Sequence, residues 1–318
     1  MISANWQDAT QQNQKGNNMR RGTLAVAGAL VATGLTLAGC GSNSLSGGAA
    51  KHATGTVTLD KKAAVMVPAA LKKKGTLTVG SDASYAPSEF LAGDGKTIEG
   101  FDVDLFTAVA KTIGLKADFQ NANFDSIISG IDANKYDVGV SSFTINSDRE
   151  KQADMTSYFN AGIEWAVPSG DPKKVDVKSP CGLSIAVQTG TVEQTDDLPP
   201  KVAACKKAGK PITVLPYVHQ TDVTTAVVSG KADAMLADSP VTQYAVKLAK
   251  GKLQTVGGVY GAAPYGFVVS KDNKGLSQAI ALALKDLKAN GTYDKILTSW
   301  GVQQGAISSF QVSPHVAG

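Results

Sequence analysis

A short buried strand that ends in hydroxyls and runs directly into a capped helix is hard to place anywhere but in an open α/β sheet. Residues 136–151 read Y-D-V-G-V-S-S-F-T-I-N-S-D-R-E-K. Tyr136 to Val140 is a β-branched run that reads as a buried strand. Ser141, Ser142 and Thr144 follow it, and Ser147-Asp148-Arg149-Glu150 has the form of a capping box that opens a helix. Such a junction gathers hydroxyls and helix N–H groups at the carboxyl edge of a sheet, where open α/β folds bind ligands. Arg149 adds a planar fork matched to a carboxylate. On this stretch alone, an ordinary cap with a solvated arginine explains the residues equally well.

The design occurs twice. Helix, Asn134-Lys135-Tyr136-Asp137, buried strand and polar loop returns as helix, Gly230-Lys231-Ala232-Asp233, buried strand and Asp238-Ser239-Pro240. Around the first copy, strands are expected at Thr76–Gly80, Lys116–Gln120 and Ile163–Val167, with helices between and a hairpin turn at Gly93–Lys96. Around the second, Ser184–Gln188, Ile212–Leu215 and Asp233–Leu236 read as strands. Ser169–Pro180 is polar, holds two prolines and suits a domain boundary. Tyr260–Tyr265 reads as a return crossing, followed by a strand and two helices that can pack back on the first lobe. A chain of 318 residues accommodates two domains of ~100–200 residues each. The expectation is two α/β lobes joined by two crossing strands, suited to hinge closure on a ligand.

Upstream, Arg20-Arg21 and the apolar run Leu24–Leu37 have the charge and length of a secretory signal, with Met19 an alternative start to Met1. The run is too short and too rich in Gly and Ala for a membrane span. It ends in Leu37-Ala38-Gly39-Cys40, which resembles the lipobox of bacterial lipoproteins, whose cysteine is acylated. Residues 1–39 are thus expected to be removed and 40–74 to form a flexible lipid-anchored spacer. The first lobe is expected over 75–167 and 264–318, and the second over 168–263.

The formal charge of +4 falls to +2 once residues 1–39, with three basic residues and one acidic, are removed. No basic cluster interleaves with aromatics, so nucleic acid is not an expected partner. His52, His219 and His315 are scattered, and no zinc or serine-hydrolase motif is present, so no metal and no cofactor are expected.

Gly100-Phe101-Asp102-Val103-Asp104-Leu105, followed by Val109-Ala110 and Ile113, is similar to the signature of the family 3 extracellular solute-binding proteins. These are polar amino-acid receptors of ABC importers, and the resemblance extends from Gly75 to Trp300. It implies a type II periplasmic-binding-protein fold, a monomer on the outer face of the membrane and delivery of an amino acid to a permease, with no catalysis. Carried over by position, the family's D-x-x-Y falls on Asp82 and Tyr85. Its hydroxyl run falls on Ser141, Ser142 and Thr144, and its carboxylate-binding arginine on Arg149. Its G-T loop falls on Gly190-Thr191, and its ammonium-binding aspartate on Asp238.

An α-amino acid buried between lobes needs one fixed cation and one fixed anion. Arg149 and Asp238 supply them, with N–H groups at Thr191-Val192 beside them. Val192 stands where relatives have a second threonine. Glu193 replaces a glutamine, either to meet a cationic side chain or, the preferred reading, to cap its helix. Ser88 replaces a phenylalanine, which leaves the pocket wall near Phe90 open. Tyr85 and Phe124 would sandwich the ligand, although periodicity places Phe124 equally in a core. Asp102 and Asp104 are expected as helix caps, Trp165 as packing and His219 on the surface. Cys181 and Cys205 lie in a body read as exported, where oxidation is expected. A disulfide there closes a loop worth roughly 3–4 kcal/mol in the chain-entropy model, and two free thiols are the alternative. The same fold hosts cyclohexadienyl dehydratases, for which Glu193 is the available acid.

Overall fold

The computed structural model describes residues 57–315. The expected signal segment, both candidate starts, Cys40, the spacer as far as residue 56 and residues 316–318 lie outside the described residues. The strands are β1 Thr76–Ser81, β2 Ser84–Tyr85, β3 Glu89–Leu91, β4 Ile98–Glu99, β5 Lys116–Asn121 and β6 Val138–Thr144. They continue as β7 Asp154–Pro168, β8 Ser184–Gln188, β9 Thr213–Tyr217, β10 Ala234–Asp238 and β11 Leu253–Val269.

Eight strands form one sheet in the order β5-β1-β6-β11-β7-β10-β8-β9, and β2-β3-β4 form a small antiparallel sheet. β1 lies parallel to β5 and β6, and β8 lies parallel to β10 and β9. Each parallel group is an α/β half with helices on its faces. The halves are joined by β7 and β11, 15 and 17 residues long. These two pair antiparallel from Asp154↔Val269 to Pro168↔Leu253. β11 then pairs β6 near Tyr265, while β7 pairs β10 from Ile163 to Ala166. This is the two-lobe, two-crossover α/β architecture expected of the chain.

Pairing between the long strands breaks register between Val256 and Tyr260 and again between Tyr260 and Ala263. Gly257, Gly258 and Gly261 sit there at φ of 75°, 69° and 60°, a region nearly closed to residues with a Cβ. On the facing strand, a Cβ at Gly162 would lie 2.6 Å from the Tyr260 carbonyl oxygen. Glycine is therefore required where the chain changes lobes.

The first core buries Leu77, Val79, Phe106, Val140, Tyr158 and Phe267 beneath helices Phe101–Thr112, Lys274–Ala289 and Thr292–Trp300. On the opposite face, helix Phe124–Asp132 packs Ile127 and Ile131 against Phe143. The second lobe has separate cores around Trp165 and around Met235, with Cys181 bonded to Cys205 beside the former.

Three expectations are corrected. The spacer does not run to Lys74: Lys61–Met66 and Ala69–Lys74 are helices, and Ala63, Val67 and Leu71 are buried in the first core. Their apolar spacing carries the folded body upstream. The lobe change on β7 precedes residue 168, because Ile163, Trp165 and Val167 pack with Ile185, Val187 and Leu236 of the second lobe. One continuous strand serves both lobes, so Pro168 marks its end and not the boundary. Finally, the cap of helix Ser147–Gln152 is Asn146, whose Oδ1 accepts the Arg149 N–H at 2.9 Å.

Candidate functional site

The carboxyl ends of the strands from both lobes meet across one seam, and hydrogen bonds cross it. Arg149 donates Nη1 to the Thr144 carbonyl at 2.7 Å in its own lobe and Nη2 to the Gly190 carbonyl at 3.0 Å in the other. Gln188 Nε2 donates to Asp82 Oδ2 at 2.9 Å and to the Val218 carbonyl at 3.0 Å. Tyr85 donates its hydroxyl to Asp238 Oδ2 at 2.8 Å, and the Gln220 N–H donates to Ser84 Oγ at 3.0 Å. Gly190, at φ 81°, lies so near the first lobe that a Cβ there would fall 2.8 Å from that of Asp125. The lobes are closed on each other.

Each predicted residue is positioned by its element. Arg149 projects from the first turn after β6, 8% exposed, with its guanidinium 5.4 Å from the Phe124 ring centre and 5.6 Å from that of Phe143. Phe124 and Phe143 stack with centroids 4.6 Å apart, so Phe124 serves the core and the floor under Arg149 at once. Asp238 ends β10 and is buried. Burial pushes its carboxyl up to about 6, against the pull of the Tyr85 and Tyr265 hydroxyls and of Arg149. Asp82 is buried after β1 and accepts the N–H groups of Ser84 at 3.1 Å and Phe124 at 3.1 Å. Thr191 donates its hydroxyl to the Gln188 carbonyl at 3.0 Å. Beside it, Val192 is buried at the start of the helical segment Glu193–Asp197.

Some residues turn elsewhere. Ser141 donates its hydroxyl to Glu89 Oε1 at 2.9 Å and accepts the Asp82 N–H at 3.0 Å. Ser142 gives both its N–H and its hydroxyl to Asp102 Oδ2, at 3.0 and 3.2 Å. Of the hydroxyl run, Thr144 alone has a side-chain oxygen with no hydrogen-bond partner among the described residues. Asp102 is therefore no cap of its own helix, whose N-cap is Gly100; Asp104 accepts the Trp300 indole N–H at 2.8 Å. Trp165 is fully buried in the second lobe. His219 is half-exposed, with Nδ1 4.0 Å from Asp82 Oδ1.

Glu193 departs from the preferred cap reading. The side chain that takes the Gly190 N–H is Gln194, at 2.7 Å, because its position one residue later points back over the turn. Glu193 is instead 1% exposed with Oε1 lacking any donor. Burial, then the Asp238 charge, pushes its carboxyl up to about 8 despite Arg149. Among the described residues Arg149 is the one buried basic side chain, and the buried acids Glu193 and Asp238 act on it most strongly, with Asp82 buried at the same seam. Asp82 also lines a pocket of about 450 Å³ with Phe90, Asn121, His219 and Tyr244, drawn from both lobes.

Sequence reading missed Gln188, Gln194 and Tyr265. Gln188 was findable, since it ends β8 immediately before the Gly190 loop. Tyr265 comes from the return strand, whose register with Thr144 no local pattern reveals. Of groups of three or more His, Cys, Asp or Glu able to hold a metal, none occurs among the described residues. No helix among them is long and apolar enough to cross a membrane.

The profile of the bacterial extracellular solute-binding proteins, family 3, matches residues 77–303. The chain is 36% identical over 289 residues to the arginine-binding protein ArgT of Corynebacterium glutamicum, covering 91% of this chain and 94% of that one. Among solved structures, it resembles an ancestral arginine-binding protein bound to arginine, at 33% identity and TM-score 0.66, over 71% of this chain and 98% of the other. It also resembles an ancestral amino acid-binding protein described as a precursor of cyclohexadienyl dehydratase, at 33% identity and TM-score 0.64 over 73% and 97%.

Proposed function

Because this chain belongs to family 3 of the bacterial extracellular solute-binding proteins, we propose that it is the substrate-binding component of an ABC transporter, exported and lipid-anchored through Cys40. It captures an amino acid with a side-chain cation and passes it to a membrane permease. One observation supports the choice of ligand: Arg149, the one buried basic side chain among the described residues, faces the buried acids Glu193 and Asp238 across the seam, and a third buried acid, Asp82, lies at the seam on its own lobe. A zwitterion uses one charge of each sign, which leaves acids over. A further cation on the ligand offsets one of them, which a neutral side chain would not do.

In this reading Arg149 and the Thr191 and Val192 N–H groups hold the α-carboxylate, Asp238 the α-ammonium, and Glu193 and Asp82 the side-chain cation. The relatives named as arginine-binding support that class. Contacts from Asp238 and the Gly190 loop exist only when the lobes meet, so the ligand favours closure by its differential affinity.

Glu193 also supports a second reading. A carboxyl raised to about 8 is protonated at neutral pH, as a general acid requires, and the dehydratase precursor is a structural neighbour. Titration calorimetry with L-arginine, L-glutamine and L-glutamate, beside turnover assays on arogenate and prephenate, separates the two. Saturable L-arginine binding without turnover is the expected result. Turnover, or a preference for L-glutamate, would sink the transport reading or its cationic ligand respectively.

A further inference from the structure

Behind the ligand site, two acids sit together with no cation to balance them. Glu89 on β3 and Asp102 on helix Phe101–Thr112 are both fully buried. Glu89 Oε1 accepts the Ser141 hydroxyl at 2.9 Å. Asp102 Oδ2 accepts the Ser142 N–H at 3.0 Å, the Ser142 hydroxyl at 3.2 Å and the Tyr158 hydroxyl at 2.6 Å. The second oxygen of each, Glu89 Oε2 and Asp102 Oδ1, is buried and receives no donor from any other group. Among the described residues, the groups acting most strongly on the pair are acidic or neutral: Asp82 after β1, Ser141 and Ser142 on β6, and Tyr158 on β7.

Two bare carboxylates here would repel one another in a dry interior, whereas one proton between them converts repulsion into a hydrogen bond. Burial, then the Asp102 charge, raises Glu89 well above the usual carboxylate range. Asp102 is also raised by burial, but its donors hold it to about 6. Both shifts favour keeping a proton within the pair, the stronger upward push falling on Glu89.

We propose that Glu89 and Asp102 share a single proton, and that their acid–acid hydrogen bond positions the ligand-reading end of β6. Ser142 holds φ 48°, a left-handed conformation that a serine keeps only under constraint. Asp102 supplies that constraint by taking both Ser142 donors, and Glu89 holds the neighbouring Ser141. Two residues on, the Thr144 carbonyl accepts from Arg149. Loss of the proton would drive β3 from the helix and loosen this strand end. Glu89 is thus a positioning residue, and its effect on binding rests on the amino-acid reading above.

The test compares wild type with Glu89→Gln and Glu89→Ala. Glutamine keeps a donor toward Asp102 but has no proton to lose. The infrared difference spectrum of wild type minus Glu89→Gln should contain a protonated-carboxyl C=O band at neutral pH. An acid whose folded pKa is raised loses stability as pH climbs from its unfolded value through its folded one. Hence the unfolding midpoint of the ligand-free protein should fall with rising pH more steeply in wild type than in Glu89→Gln. Affinity for L-arginine should stay within about twofold in Glu89→Gln and drop about tenfold in Glu89→Ala, the effect of losing a buried hydrogen bond. A missing band or equal pH slopes would overturn the shared proton, and equal affinity losses in both variants would overturn the positioning role. Should wild type bind no amino acid, band and slope still decide the proton, and only the transport reading falls.

Discussion

The two lobes begin their paired strands alike and end them differently. In the first, Asn134 at φ 57° leads to Asp137, whose Oδ2 accepts the Thr78 N–H at 2.7 Å while its own N–H returns to the Thr78 carbonyl at 2.8 Å. In the second, Gly230 at φ 77° leads to Asp233, which accepts the Ser184 N–H at 2.8 Å and returns its N–H to the Ser184 carbonyl at 2.8 Å. Each is a clamp at the amino end of a buried strand. At the carboxyl ends the likeness stops. β6 finishes in serines bonded inward and then a cation, whereas β10 finishes in Asp238, with the incompletely bonded acid Glu193 across from Arg149. Amino ends satisfy themselves and belong to the fold; carboxyl ends leave charges of opposite sign for a ligand to complete.

Removing the cation tests this division most severely. Arg149→Ala should cost about 2–5 kcal/mol in L-arginine affinity, because the ligand carboxylate would be left buried without its cation and near Glu193 and Asp238. At ~1.4 kcal/mol per tenfold, calorimetry resolves such a loss easily. Affinity unchanged from wild type would show that the first lobe's end is not a carboxylate receptor, and the contrast between lobes would lose its functional meaning.

The recurrence of the two amino-end segments, and the presence of two crossings, were readable in the chain because their patterns are local, while the clamping role of Asp137 and Asp233 was not. Asn134–Asp137 and Gly230–Asp233 announce a left-handed turn into a buried run, and that pattern needs no distant partner. The site was readable in its charges and unreadable in its hydroxyls. Arg149 and Asp238 were singled out by the family resemblance, and both are buried where the lobes meet. Ser141 and Ser142 could not be oriented, since their partners Glu89 and Asp102 come from other elements 52 and 40 residues away. The lobe change at Ile163 was hidden for the same reason. An apolar strand looks identical whichever core it enters, and only its register with Asp238 decides.

A sharper probe lies in the second lobe's acid. Glu193 is raised to about 8, so below that pH it is largely protonated in the empty site. A ligand cation favours the ionised form and expels the proton on binding. L-arginine affinity should therefore rise with pH until about 8, by at most about tenfold per pH unit for one proton, and then level. Glu193→Gln should flatten the slope while weakening binding at high pH by about 1–2 kcal/mol, a charged hydrogen bond exchanged for a neutral one. Stability of the empty protein runs oppositely, since a raised acid penalises folding as pH climbs toward 8; the Gln variant should lose that decline too. A slope that persists in Glu193→Gln would assign the expelled proton elsewhere and make the second lobe's end as inert as its beginning.

The smallest expected effect completes the comparison from the other side. Asp137→Ala and Asp233→Ala each strand one strand N–H and should lower stability by about 1 kcal/mol, the low end for an unsatisfied donor because both side chains are partly exposed. The Lys74–Asp137 ion pair adds little, since Lys74 is 46% exposed on its side chain. Neither clamp contacts the seam, so L-arginine affinity per folded molecule should be unaltered in both variants. Denaturant melts read beside calorimetry make the distinction. Equal stability losses with intact binding would mean that the two lobes share one folding device and differ only where their strands end. An affinity loss confined to Asp233→Ala would mean instead that β10 relays its starting register to Asp238, and that the amino end of the second lobe is part of its site.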